Sequence, residues 1–345
     1  MDISTFIVGQ DISVSEAMQK LDTNSGGTLF LVDESEKLIA CVTDGDIRRY
    51  LLGGGSMDNL ALEAANKEPR FGKSLVEAKH LYHQKNYVSI PIVDDDMRIL
   101  DIYRGGELVK EKACLHVPVV INAGGKGTRL APYTKVLPKP LIPVGELPII
   151  EHIMNRYQSY DCMDFHIIVN YKRDLMKAYF ADNERSYNIN WYDEYKPLGT
   201  GGGLSLLKGV FHDTFFFANC DVLLTADYES MLNFHKENSN VITMVCACKN
   251  LKIPYGVVDV GANGAILGMR EKPVLSFLTN TGIYIVEPSV VDAMIDGEVI
   301  GFPDIVERER QRGHKVAVYP VSENDWMDMG QIPELEKMRI RLYGE

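Results

Sequence analysis

The chain has 345 residues, 46% of them hydrophobic and 24% charged, with a formal net charge of −12. That length allows two domains, each large enough to bury its own core. The acidic balance argues against nucleic acid and anionic membranes as partners, and no uninterrupted apolar stretch reaches the length of a bilayer span.

In chain order, the opening MDISTFIVGQDISV lacks a basic segment ahead of an apolar run, so no signal peptide is predicted. Six cysteines without a CxxC spacing suit reduced thiols in a cytoplasmic protein, and Cys246 with Cys248 reads as strand core. Residues 1–113 carry an internal duplication. A helix-like stretch at 14–21 precedes strands at 28–33 and 38–43, and a helix opens at Asp44. The same order returns at 75–78, 89–94, 99–103 and 107–109. These two β-β-α halves resemble a pair of CBS motifs, which form one small α+β module. Residues 42–49, VTDGDIRR, are similar to the CBS nucleotide signature. That resemblance implies that the Thr43 hydroxyl and Asp46 carboxylate hold an adenosine nucleotide; simple helix capping by Asp46 is the competing role. Tyr103 and Arg104 stand where the second half would need its own threonine signature, so its site is degenerate. CBS pairs commonly associate back to back, which implies a homo-oligomer.

A short charged segment at 111–114 joins this module to a second domain, residues 115–345. The apolar run 117–121 predicts a buried strand that breaks into Ala123, Gly124, Gly125, Lys126, Gly127, Thr128 and Arg129, with Lys135 and Lys139 beyond. Glycines after a strand leave backbone N–H groups bare for a phosphate, and the cations supply charge beside them. Neither the P-loop pattern nor GxGxxG is present. Downstream, periodicity predicts a helix at 148–157 and strands at 165–169, 214–218 and 241–246, an alternation that gives a mostly parallel three-layer α/β sheet. Trp191 and Trp326 read as packing residues.

Gly124 to Thr134, followed by Lys139-Pro140, resembles the signature of the sugar-1-phosphate nucleotidyltransferases. The resemblance implies a Rossmann-like, GT-A-like sheet and several further matches. Asp221, just past an apolar run, and Asp328, in Trp326-Met327-Asp328-Met329-Gly330, correspond to the two carboxylates on Mg²⁺. The stretch Leu198-Gly199-Thr200-Gly201-Gly202 is similar to the loop along base and sugar, with Gly201 where alanine is usual; a looser loop is expected there. Gly256, Glu271, Lys272, Asn280 and Thr281 lie in segments similar to those that hold the sugar phosphate.

These residue types imply a sugar 1-phosphate attacking the α-phosphorus of a nucleoside triphosphate, with Arg129 and Lys139 on the phosphates. Positioning and charge carry such a reaction, and none of the eight histidines is needed as a base. In the resembling family a polar side chain five residues before the loop's first glycine meets the base's pairing edge, and Glu194 stands at that position here. An ionised carboxylate only accepts, which suits the two donors of guanine and favours GTP. CBS-fused enzymes of this kind resemble guanylyltransferases acting on glucosamine 1-phosphate. Uridylyl or thymidylyl transfer to a hexose 1-phosphate is the alternative, as is a nucleotide sensor without turnover. No hexapeptide repeat is present, so no fused acetyltransferase is expected.

Overall fold

The computed structural model describes residues 3–23, 27–84, 87–104, 114–181 and 186–343. The segments expected at 107–109 and 111–113 lie outside the described residues. The chain forms two compact units, Met1–Glu111 with Cys248–Leu278, and Lys112–Ala247 with Thr279–Glu345. Chain order alone puts residues 248–278 with the second domain; packing groups them with the first unit.

In the first unit, Ile7–Gly9 pairs parallel with Thr28–Val32, which pairs antiparallel with Leu38–Thr43. Helix Val14–Thr23 covers this sheet with Val14, Ala17, Met18 and Leu21, an i, i+3, i+4, i+7 stripe that meets Leu29, Leu31, Ala40 and Val42 in one core. Its start is set by Ser13 and Glu16: the Glu16 carboxylate accepts from the Ser13 N–H at 2.9 Å, and the Ser13 hydroxyl accepts from the Glu16 N–H at 3.2 Å. The second half supplies helix Leu75–Gln84 and the antiparallel pair Ile90–Val93 and Ile99–Tyr103.

The second unit is built on a seven-stranded sheet ordered Asn188–Asp193, Asp164–Val169, Val119–Asn122, Phe215–Asn219, Val274–Val286, Ile242–Lys252, Val316–Ser322. The first four neighbours are parallel, and Phe215–Asn219 turns the sheet antiparallel against Val274–Val286. The uninterrupted apolar runs follow from burial on both faces. Val119, Ile121, Ile167, Phe216 and Ala218 face one core with helices Ile149–Gln158, Tyr228–Glu237 and Ile332–Tyr343. Val120, Ile168, Phe215 and Phe217 face the other core with helix Phe302–Gln311. Trp191 and Trp326 are half-buried against the first core, as packing residues. Among the described residues no helix is long and apolar enough to cross a membrane.

Phe217 is fully buried, with its ring centroid 5.9 Å from that of Tyr284 and 4.9 Å from that of Phe302. Phe217→Ala should lower the unfolding free energy by about 3–5 kcal/mol. Urea titration would read this; a loss well under about 1 kcal/mol would mean that the second core collapses around the gap.

Candidate active site

Three neighbouring parallel strands end at one edge of the sheet, and each apolar run is closed by an asparagine: Asn122, Asn170 and Asn219. That carboxyl edge is where open α/β sheets bind ligands. The Asn122 side-chain oxygen accepts from the Gly124 N–H at 3.4 Å, while its amide donates to the Thr200 carbonyl at 3.1 Å. Asn170 donates to the Glu194 carbonyl at 2.7 Å. Asn122 and Asn170 tie the loops at this edge to one another, and the sequence does not single them out by motif. Their signal is a polar residue ending several apolar strands in turn.

Gly127 adopts φ +61°, and a Cβ there would stand 2.9 Å from Thr134 Cγ2 and 3.0 Å from Lys139 Cβ. Glycine is required both for the left-handed backbone and for the close approach to Lys139. Buried Leu130 anchors the turn after the loop, leaving Thr128 and Arg129 exposed.

Asp221 follows the Phe215–Asn219 strand, and the next strand, Val222–Leu224, pairs antiparallel with Trp326–Asp328 so that Val222 stands opposite Asp328. The Met329 N–H donates to the Asp221 carbonyl at 2.8 Å, locking the two segments together. Buried Lys139 forms an ion pair with the Asp221 carboxylate. Burial first, and the Asp221 charge second, hold the Asp328 carboxyl above its ordinary value; Lys139, the Gly330 N–H and Arg129 pull it back in part. The arrangement therefore gathers two carboxylates and two cations within electrostatic reach of one another. A carboxylate pair that repels in a half-buried site, made of hard oxygen donors, fits a divalent cation. Cys114, His116 and Asp161, the three-residue group of metal-ligand type among the described residues, lies at the opposite edge, ahead of strands Val119–Asn122 and Asp164–Val169.

Glu194 is only 5% exposed, and its Oε1 accepts from the Leu198 N–H at 3.1 Å. Its Oε2 lies 3.0 Å from where a Gly124 Cβ would be, so the carboxylate borders the glycine loop. Burial pushes its pKa up, against the Leu198 hydrogen bond.

The expectation of a looser loop at Gly201 is corrected by the packing. A Cβ on Gly201 would stand 2.6 Å from Ile305 Cδ1 and 2.9 Å from the Phe302 nitrogen. The Gly201 and Gly202 N–H groups both donate to the Ile300 carbonyl, at 3.0 and 3.1 Å, and the Thr200 hydroxyl accepts from the Phe302 N–H at 3.0 Å. Glycine here presses the loop against the chain around residue 300 and fastens it.

Asn280 and Thr281 precede Ile283, which pairs with Ala218. The Asn280 amide donates to the Tyr284 hydroxyl at 2.6 Å, and the buried Thr281 hydroxyl donates to the Val245 carbonyl at 2.8 Å, so that hydroxyl already serves the sheet. Gly256, Glu271 and Lys272 belong to the first unit. A Cβ on Gly256 would lie 3.0 Å from Glu271 Oε2, and exposed Lys272 places Nζ 3.9 Å from Glu271 Oε1.

Also in the first unit, Thr43 is the N-cap of helix Asp44–Leu52. The Asp46 carboxylate accepts from the Thr43 N–H at 2.9 Å and the Thr43 hydroxyl at 2.6 Å, a capping box. A cavity of about 410 Å³ is lined by Thr43 with Thr28, Phe30 and Cys41 of the first half and Tyr87 and Ser89 of the second; Asp46 does not line it.

The sequence profile of the nucleotidyl transferase family matches residues 118–342, and that of the CBS domain matches residues 1–53. A mannose-1-phosphate guanyltransferase of Schizosaccharomyces pombe is 35% identical over 227 residues, covering 61% of this chain and 60% of that protein. A UTP–glucose-1-phosphate uridylyltransferase of Synechocystis is 31% identical over 240 residues, covering 62% of this chain and 60% of that protein. The chain thus spans about 60% of the length of these curated relatives. The crystal structure of HddC from Yersinia pseudotuberculosis shares the fold, with a TM-score of 0.52 over 65% of this chain and 99% of that chain at 20% identity.

Because the Asp328 pKa is raised in the folded protein, its contribution favours the native state at low pH and is lost as pH climbs through the raised value. Asp328→Asn should therefore melt higher than the parent at neutral pH in chelator, with the difference closing as acid protonates the parent's carboxyl. Melting curves across pH decide this; a variant less stable at pH 7 would mean that Asp328 is held by net attraction.

Proposed function

The chain belongs to the nucleotidyl transferase family, with a CBS domain at its N-terminus, and on that premise we propose a Mg²⁺-dependent sugar-1-phosphate nucleotidyltransferase. The observation that carries this reading is the meeting of Lys139 and Arg129 with Asp221 and Asp328 beside the glycine loop. In the reaction a phosphate oxygen of the sugar 1-phosphate attacks the α-phosphorus in line. The new P–O bond forms as the bond to pyrophosphate breaks, and pyrophosphate leaves with the electron pair. A phosphate dianion is already a nucleophile, so the residues have charge and alignment to manage rather than a proton. Arg129 and Lys139 would draw the triphosphate onto the glycine loop, residues 123–128, whose first two N–H groups already serve the Ile168 carbonyl and the Asn122 side chain. Mg²⁺ held by Asp221 and Asp328 would supply further neutralisation of the phosphates. Lys272 would hold the attacking phosphate, with Glu271, Gly256, Asn280 and Thr281 along the sugar.

The proposed nucleotide is GTP. Ionised Glu194, beside Gly124, offers an acceptor to the two donors on guanine's pairing edge, as the guanyltransferase relative's substrate class would also suit. Glucosamine 1-phosphate is the proposed acceptor, by similarity to CBS-fused guanylyltransferases. One observation favours a second reading: burial raises the Glu194 pKa. A protonated Glu194 would both donate and accept, which matches the imide of uracil or thymine. The cleft lined by Thr43 is the proposed place for an adenosine nucleotide in the N-terminal domain.

Pyrophosphate release in Mg²⁺, with GTP, UTP, dTTP, CTP and ATP crossed against hexose and hexosamine 1-phosphates, tests this directly. One productive pair is expected, with GTP, and Asp221→Asn should cut its turnover by roughly 10²-fold or more. Turnover with UTP or dTTP alone would transfer the base assignment to the protonated form of Glu194. Silence across the grid with triphosphate binding intact would favour a sensor.

A further inference from the structure

Strands Ile242–Lys252 and Val274–Val286 begin and end in the seven-stranded sheet, yet their outer parts belong to the first unit. Cys248 is buried in that unit's core, in the same cluster as Val14, Ala17 and Met18 of helix Val14–Thr23. Two residues on, the Asn250 side-chain oxygen accepts from the Ser15 hydroxyl at 3.0 Å and from the Ser276 hydroxyl at 2.6 Å. The two serine hydroxyls also touch each other. Ser15 is buried and its N–H is already bonded to the Met57 carbonyl at 3.0 Å, so its hydroxyl serves the strand excursion. Beyond this cluster the Ile253 N–H donates to the Pro273 carbonyl at 2.9 Å, closing the excursion next to Lys272. From Ser276 to Pro273 is three residues, roughly 10 Å of strand.

We infer that the N-terminal domain is the mount for the excursion bearing Gly256, Glu271 and Lys272, and that Ser15, Asn250 and Ser276 are positioning residues for the sugar 1-phosphate. This rests on the proposal that Glu271 and Lys272 meet that substrate. A directional polar cluster built on a buried hydroxyl fixes a register and an angle where apolar contacts alone would allow sliding. Glu271 and Lys272 are exposed and make one long ion pair with each other, so their placement is inherited from the strands beneath them. The role of the domain in this respect is mechanical and needs no bound nucleotide.

The test uses the full chain. Ser15→Ala should raise KM for the sugar 1-phosphate roughly three- to ten-fold, the effect of one hydrogen bond, with kcat and the KM for triphosphate within about two-fold. Ser15→Thr, which keeps the hydroxyl, should restore the parent value. In a Lys272→Ala background, Ser15→Ala should raise KM no further, because its effect passes through Lys272. Amide hydrogen exchange over residues 250–278 should quicken in Ser15→Ala whether or not the enzyme turns over, and Ser276→Ala replaces it should the first variant fail to fold. Unchanged exchange would overturn the mount. Faster exchange with an unaltered sugar KM, or an equal change in both substrates' KM values, would overturn the positioning role. Loss of all turnover in the parent protein would instead count against the proposed reaction, leaving exchange to decide the mount.

Discussion

Two carboxylates that repel each other must be kept together: Asp221 and Asp328 share a half-buried place, and Asp328 is pushed above its ordinary pKa by burial and by its neighbour's charge. Nothing local in the chain would hold them so. The pairing of Val222 with Asp328 and the Met329 bond to the Asp221 carbonyl do it, and these in turn need a sheet that does not yield. Phe215–Asn219, buried on both faces, is the strand that delivers Asp221. Lys139 completes the balance on the acid side, and it reaches Asp221 over a loop that only glycine at 127 allows to pass.

The same economy of space governs the loop at 199–204. Where a side chain at Gly201 would collide with Ile305 and the backbone of Phe302, its absence lets two N–H groups converge on the Ile300 carbonyl. A residue type usually associated with freedom here removes it. Glu194, fixed by the Leu198 N–H and bordering Gly124, is held between this loop and the glycine loop.

The first unit contains more than the N-terminal residues. Residues 248–278 belong to it, and Cys248 is buried in the same core cluster as residues of helix Val14–Thr23. A chain-order description separates an N-terminal module from a nucleotidyl transferase domain. Packing instead assigns the excursion that carries Glu271 and Lys272 to the module.

Much of this protein is legible one residue at a time. The glycine loop with Arg129 and Lys139, the acids after strands, and the alternation of helix and strand are local signals, because phosphate cradles and doubly buried strands leave fixed residue types at short spacing. The capping relation of Thr43 and Asp46 is likewise local, three residues apart. Relations across long separations were decided only by the fold. These include the approach of Lys139 to Asp221, the closure of Gly201 onto Phe302 and Ile305, the asparagines that tie loop to loop, and the seat of Asn250 on Ser15. Each depends on which strands lie side by side and how far each side chain reaches. Short-range pattern does not encode those distances, whereas packing between distant segments does.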